Sequence, residues 1–380
     1  MTLPTAITDA RPPAATAADE SLRPIALWLI VCCAMIFLMV VIGGVTRLTR
    51  SGLSITEWEP ITGILPPLSP AAWAAEFAKY QHIPQYRVIN LGMSLDDFKT
   101  IYLWEYVHRL WGRLIGVAYG LPFLYFALRR RLPRPLIAPL AGILALGFLQ
   151  GALGWYMVTS GLATRVEVSQ YRLVAHLALA LLIYAATLWI ALGLLESPSP
   201  APREREGSAP KAREGEGAPG RWRRAAEALI ALIGLTMLAG GFTAGLHAGL
   251  VDNTFPLMDG SFVPAGYAQL HPFIRNWFET IPAVQFDHRL LAETTVAAVL
   301  LFWLAGRRAA LPRPPRLALH ALLAAAILQF SLGVATLLLV VPIPLAAAHQ
   351  AGGLLLLTAA IVLRHSLRRP EMDRAPAPAL

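Results

Sequence analysis

Charge is scarce in this sequence. Asp, Glu, Lys and Arg make up 14% of its 380 residues, against roughly a quarter in a soluble domain. With 56% hydrophobic residues, that deficit excludes an ordinary soluble enzyme. Cysteine is nearly absent as well. Cys32 and Cys33 are the only two, adjacent inside the first apolar run. They cannot build a disulfide framework or a CxxC metal site, and read as small apolar helix residues. An Arg-rich, acid-free leader is also missing: the first 23 residues carry Asp9, Asp19 and Glu20 among Ala, Pro and Thr. This is not the composition of a transit peptide, and the apolar run comes too late for a signal peptide. Residues 1–24 therefore read as a disordered cytoplasmic tail of a bacterial protein.

What the chain has in quantity is long apolar runs. A bilayer core needs about 20 mostly apolar residues per helix, and eight such runs are present. They lie near 25–45, 104–127, 136–158, 171–194, 228–248, 287–305, 317–341 and 346–364. The fold class predicted is an all-α integral membrane protein with eight transmembrane helices. Residues 197–224, low in complexity and rich in Pro, Gly and charge, read as a flexible cytoplasmic linker. It divides an N-terminal four-helix half, 25–196, from a C-terminal half, 225–365. Residues 366–380 form a second cytoplasmic tail.

The net charge of +9 does not point to nucleic acid, because the basic residues sit in short loops between apolar runs. Most of the 32 Lys and Arg fall on one side: the N-terminal tail, 129–134, the linker, 307–316 and the C-terminal tail. The positive-inside rule makes that side, and both termini, cytoplasmic. Loops 46–103 and 249–286 are the large outer ones.

The chain repeats itself. Gly43-Gly44-Val45-Thr46 returns as Gly240-Gly241-Phe242-Thr243, and His108-Arg109-Leu110 as His288-Arg289-Leu290. Leu149-Gln150 with Leu153-Gly154 returns as Leu328-Gln329 with Leu332-Gly333. Four helices per half give both halves the same orientation, so the repeat is parallel.

Four of the nine histidines, His108, His176, His288 and His349, fall near the starts of the four helices that enter from the outer side. They are expected at similar depth. One intramembrane histidine alone is accounted for by a hydrogen bond to a neighbouring helix. Four at matched depth, as two repeated pairs, point to metal ligation. Zinc or copper would want further Cys, His or carboxylate ligands, and these are scarce. Facing histidines among aromatic and glycine residues suit a haem with two axial imidazoles. Gly112 and Gly116 are candidates for close approach of a macrocycle, with ordinary helix packing as the other reading. Arg109 and Arg289, each following a histidine, are candidates for binding haem propionates; snorkelling to lipid phosphate is the alternative. His247, at the outer end of the fifth run, is a further candidate contact to a cofactor edge.

The halves differ at one place. Glu105 precedes His108 by three residues, on one helix face, whereas Gln285 holds the same place before His288. An enzyme with substrate in one half and a permanent redox cofactor in the other has a use for that difference. Glu105 is then the candidate to hold or move a proton. The competing readings are a two-haem bis-histidine electron-transfer cytochrome and a transporter.

These residues resemble a known family. GGVTRLTRSGLSITEWEPITGILPP at 43–67, EYVHRLWGRLIG at 105–116, LQGALGWYMVTSGL at 149–162, RLVAHL at 172–177, DHR at 287–289 and AHQ at 348–350 resemble haem A synthase, in its proteobacterial and mitochondrial branch. The resemblance covers about 25–365. It implies an oxidoreductase of the bacterial inner membrane that converts haem O to haem A by oxidising a ring methyl to formyl. It implies haem b on His288 and His349, the substrate haem on His108 and His176, and Glu105 as the family carboxylate beside that substrate. It also implies haem O synthase and oxidase assembly factors as partners, and leaves homo-oligomer formation open. Another branch carries a cysteine pair in its first outer loop. Loop 46–103 here has none, which excludes a cysteine-dependent step there.

Overall fold

The computed structural model of the chain describes residues 22–59, 62–162, 165–196, 217–309 and 311–368. Most of the expected tails and of the linker lies outside them. Eight of the described helices are long and apolar enough to cross a membrane: α1 (Arg23–Leu48), α4 (Leu95–Leu128), α5 (Arg134–Leu162), α6 (Gln170–Glu196), α7 (Gly217–Gly245), α9 (Ile281–Gly306), α10 (Arg313–Leu338) and α11 (Ile343–Ser366). Shorter helices α2 (Pro70–Tyr80), α3 (Pro84–Val88) and α8 (Asn276–Glu279) belong to the two outer loops. No strand is present among the described residues.

Within each half the long helices pack in a closed ring. Helix α1 touches α4 and α6, and α5 touches α4 and α6; α7 touches α9 and α11, and α10 touches α9 and α11. The halves meet through α1, α6, α7 and α11. Along this seam Tyr184 and Thr358 share a hydroxyl hydrogen bond of 2.8 Å. Gln350 donates to the Val40 carbonyl at 2.8 Å, and a side chain at Gly44 would overlap the Gln350 amide. Close approach of α1 and α11 therefore depends on that glycine.

Two boundaries differ most from the sequence reading, for the same reason. Helix α4 begins at Leu95 rather than near 104. Its first turns are polar, but Ser94 caps them by accepting from the Asp97 N–H at 3.1 Å. Phe98, Ile101 and Tyr102 then bury against Tyr80, Ile83 and Leu53 of the outer loop. Helix α7 begins at Gly217, inside the stretch read as linker 197–224. Here Trp222 packs edge-on against Phe302 at 5.1 Å, and Ala226 is buried. Both helices continue past the apolar run because tertiary packing, not hydropathy, holds their ends. At the other margin, α1 already includes Arg23 and Pro24 of the predicted tail.

Matched positions end the first helix of each half. Arg50 after α1 and His247 after α7 both adopt left-handed backbone, at φ 54° and 52°. That conformation closes a helix C-terminus, and it turns both chains into their outer loops at the same level.

Candidate haem-binding site

Each of the four histidines faces a glycine on another helix. A side chain added at Gly43 would come within 3.1 Å of His108 Nε2, and one at Gly154 within 3.1 Å of His176 Cε1. In the second half Gly240 stands 2.9 Å from His288 Cε1 and Gly333 2.8 Å from His349 Cε1, measured the same way. The imidazoles thus lie against bare helix backbone, where any larger residue would press on them. His176, His288 and His349 sit about two turns into α6, α9 and α11. His108 lies farther from the start of its helix, because α4 reaches beyond the others.

The second-half pair meets with its rings nearly perpendicular. The rings of His288 and His349 have centroids 6.4 Å apart with planes at 74°. Metal–imidazole bonds of about 2.0–2.1 Å put two rings on opposite sides of one metal with centroids roughly 6 Å apart. This pair therefore fits a six-coordinate haem iron. His288 Nδ1 is 3.1 Å from the Thr236 carbonyl. Donation there fixes the tautomer and leaves Nε2 with its lone pair free. Thr236 lies one turn before Gly240, so the same small residue opens both the ring's seat and its acceptor.

The first-half pair is held differently. His108 and His176 make no ring contact among the described residues. Gln150 Nε2 is instead 3.2 Å from His176 Nε2 and donates to the His176 carbonyl at 3.0 Å.

Glu105 is 2% exposed and saturated with donors. It accepts from the Ser54 hydroxyl at 2.7 Å and the Ile55 N–H at 2.9 Å. Arg109 adds Nε at 3.1 Å and Nη2 at 2.6 Å. Gln285 reverses the polarity at the repeated position. Its Nε2 donates to the Ala248 carbonyl at 3.0 Å and the Val251 carbonyl at 2.6 Å. The two residues thus pin the same turn of their outer loops, one as an acceptor and one as a donor.

A family model described as cytochrome oxidase assembly protein matches residues 26–361. The chain belongs to this family. It is similar to proteins named heme A synthase over most of both lengths. That of Nitrosospira multiformis is 53% identical, covering 91% of this chain and 94% of the relative. That of Nitrosomonas eutropha is 50% identical, covering 89% and 92%. That of Rhodospirillum centenum is 50% identical, covering 93% and 90%.

In this member of the cytochrome oxidase assembly family, both arginines beside the histidines hold loop backbone. Arg109 donates to the Glu57 and Ile55 carbonyls at 3.0 and 2.9 Å, and borders a cleft of about 300 Å³ with Arg113, Glu57 and Glu59. Arg289 donates to the Thr254 and Pro256 carbonyls at 3.0 and 2.9 Å. Its Nη1 is buried without a partner among the described residues, a donor still free for a carboxylate.

Three features escaped the sequence reading. The glycines at the histidines are Gly43, Gly154, Gly240 and Gly333, which stood out only as repeat markers. Of the two singled out for a macrocycle, Gly112 meets Met39 and Gly116 meets nothing within 4 Å. Ser54 gave no signal beyond lying in the first motif. Glu167, in the loop before α6, also went unnoticed. It takes His247 Nε2 at 2.6 Å and Arg47 Nη2 at 3.2 Å, so His247 ties the halves together at their outer ends. Burial raises the Glu167 carboxyl, but the hydrogen bond from His247 and the charges of Arg47, His247 and Arg50 outweigh it. Its pKa lies below the ordinary value.

Proposed function

We propose that this chain is a membrane oxidoreductase that converts haem O to haem A, oxidising a porphyrin ring methyl to a formyl group for cytochrome oxidase biogenesis. The carrying observation is the asymmetry of a repeated scaffold. The second half has two imidazoles 6.4 Å apart, a spacing that suits a resident iron, and the first half has a buried carboxylate, Glu105, where the second has the amide of Gln285. The scaffold is read as two parallel four-helix bundles in the bacterial inner membrane, with both termini cytoplasmic.

His288 and His349 would hold haem b, which supplies electron transfer when bound. Gly240 and Gly333 seat their rings, and Thr236 sets the tautomer of His288. His108 and His176 would hold the substrate haem, with Gln150 fixing the His176 backbone through its carbonyl. Glu105 would take or give a proton at its carboxylate, through the Ser54 hydroxyl. Arg109 positions Glu105 and the outer loop. Arg289 Nη1 is the donor offered to a haem b propionate. Haem O synthase and oxidase assembly factors are the partners this reading implies.

A two-haem electron-transfer cytochrome has no use for a carboxylate in one half and an amide in the other. Deleting the gene in its host and extracting the haems tests the reading. Haem O should accumulate and haem A disappear. Normal haem A in the deletion strain would end it.

A further inference from the structure

Where α6 finishes, α7 begins and α11 finishes, guanidinium groups gather that the haem sites do not use. Arg368 lies over the Trp189 ring with Cζ 3.7 Å from its centroid. Arg364 reaches the same ring at 5.6 Å. Arg223 donates through Nε to the Leu367 carbonyl at 2.9 Å, which seats it on the C-terminus of α11. Arg364 gives Nε and Nη2 to Glu227 at 2.9 and 2.6 Å, while its Nη1 is buried with no partner among the described residues. Residues 221–227 and 364–368 contain Arg221, Arg223, Arg224, Arg364 and Arg368 against the single carboxylate of Glu227. Two helices of the second half, α7 and α11, thus bring unbalanced positive charge to an indole of the first. Burial first, and then the charges of Arg364 and Arg223, push Arg368 below the ordinary guanidinium range.

We infer that Arg223, Arg364 and Arg368 form a binding site for the phosphate of an anionic phospholipid, set in the seam between the halves. Guanidinium forks match phosphate oxygens geometrically, and basic pockets between transmembrane helices are suited to lipid head groups. The level in the membrane agrees. Arg221 lies 5.7 Å from the Trp222 ring and Arg307 5.0 Å from the Trp303 ring, at the same end of the bundle. Trp residues at a helix end mark the head-group layer. Exposed Leu195 and Leu355 on α6 and α11 offer apolar surface to the acyl chains. A lipid there staples α6 of the first half to α7 and α11 of the second.

The test uses the full chain in detergent, equilibrated with equal amounts of phosphatidylglycerol and phosphatidylcholine and then separated from free lipid. Bound lipid is counted by mass spectrometry. Phosphatidylglycerol should be enriched severalfold, and the enrichment should vanish in the Arg223→Gln/Arg368→Gln double variant. It should survive in Arg129→Gln/Arg131→Gln, which removes equal charge from the same end. An excess of inorganic phosphate should leave it intact. Equal retention of both lipids, equal loss in the two double variants, or displacement by free phosphate would each overturn the inference. Should the first double variant fail to fold, Arg368→Gln alone must lower the enrichment.

Discussion

The Ser54 hydroxyl donates to the Glu105 carboxylate across 2.7 Å, and both side chains are almost wholly buried. A buried hydrogen bond to a charged group contributes about 1.5–3 kcal/mol. Ser54→Ala should therefore slow haem A formation roughly tenfold to a hundredfold, with substrate binding little changed. Ser54→Thr should restore most of the rate by replacing the hydroxyl. Steady-state kinetics with haem O in detergent separates the two, and an Ser54→Ala enzyme with wild-type turnover would remove Ser54 from the account.

Glu105→Gln places the amide of the second half in the first. The Gln285 amide binds loop carbonyls where Glu105 binds N–H and O–H donors, so the exchange leaves Ser54, Ile55 and Arg109 facing a weaker acceptor. Loss of a proton-transfer group typically costs about 10²–10⁴-fold in rate. The variant should fall by that order in haem A yield while keeping its haem b spectrum. Full activity would show that Glu105 is structural.

The glycine seats make a prediction about loading rather than rate. A helical Gly→Ala change ordinarily gains about 0.5–1 kcal/mol. At Gly240 and Gly333 the new methyl would press on His288 and His349 at 2.9 and 2.8 Å. Gly240→Ala and Gly333→Ala should lower haem b content, read from the absorption spectrum per chain. Gly147→Ala, with nothing within 4 Å of the new atom, should leave content unchanged or raise stability slightly.

Glu167 predicts a pH dependence. Its folded-state pKa lies below the ordinary value, because His247 and two arginines outweigh the cost of burial. A carboxyl with a depressed folded pKa stabilises the fold above its unfolded pKa, and that contribution is lost as pH falls through the folded value. The thermal midpoint should therefore drop on acidification below the ordinary carboxylate range. Glu167→Gln should flatten that acid limb and leave the other side of the profile alone. An unchanged acid limb would mean the cluster does not couple the halves.

Much of this architecture is written in hydropathy. Eight apolar runs, the repeated GGxT and His-Arg-Leu strings and the linker between them are visible without coordinates, because membrane helices must satisfy their backbone internally. The residues that finish the site are not. Phe98 and Tyr102 extend α4 outward by packing on Tyr80, a contact spanning separate segments. Trp222 does the same for α7 against Phe302. The Gly43, Gly154, Gly240 and Gly333 seats are legible as repeats, yet which glycine meets which imidazole depends on helix rotation. Glu167 and His247 lie 80 residues apart and share no motif. The opposite polarity of Glu105 and Gln285 was readable as chemistry, but the Ser54 and Arg109 bonds that hold Glu105 needed the loop in place.

The assignment of the halves is tested most directly by the haem content of purified His→Ala variants, by absorption spectrum and extraction. His288→Ala and His349→Ala should lose haem b, whereas His108→Ala and His176→Ala should keep it and fail to make haem A. Loss of haem b from the first-half variants, with retention in the second-half ones, would contradict the account.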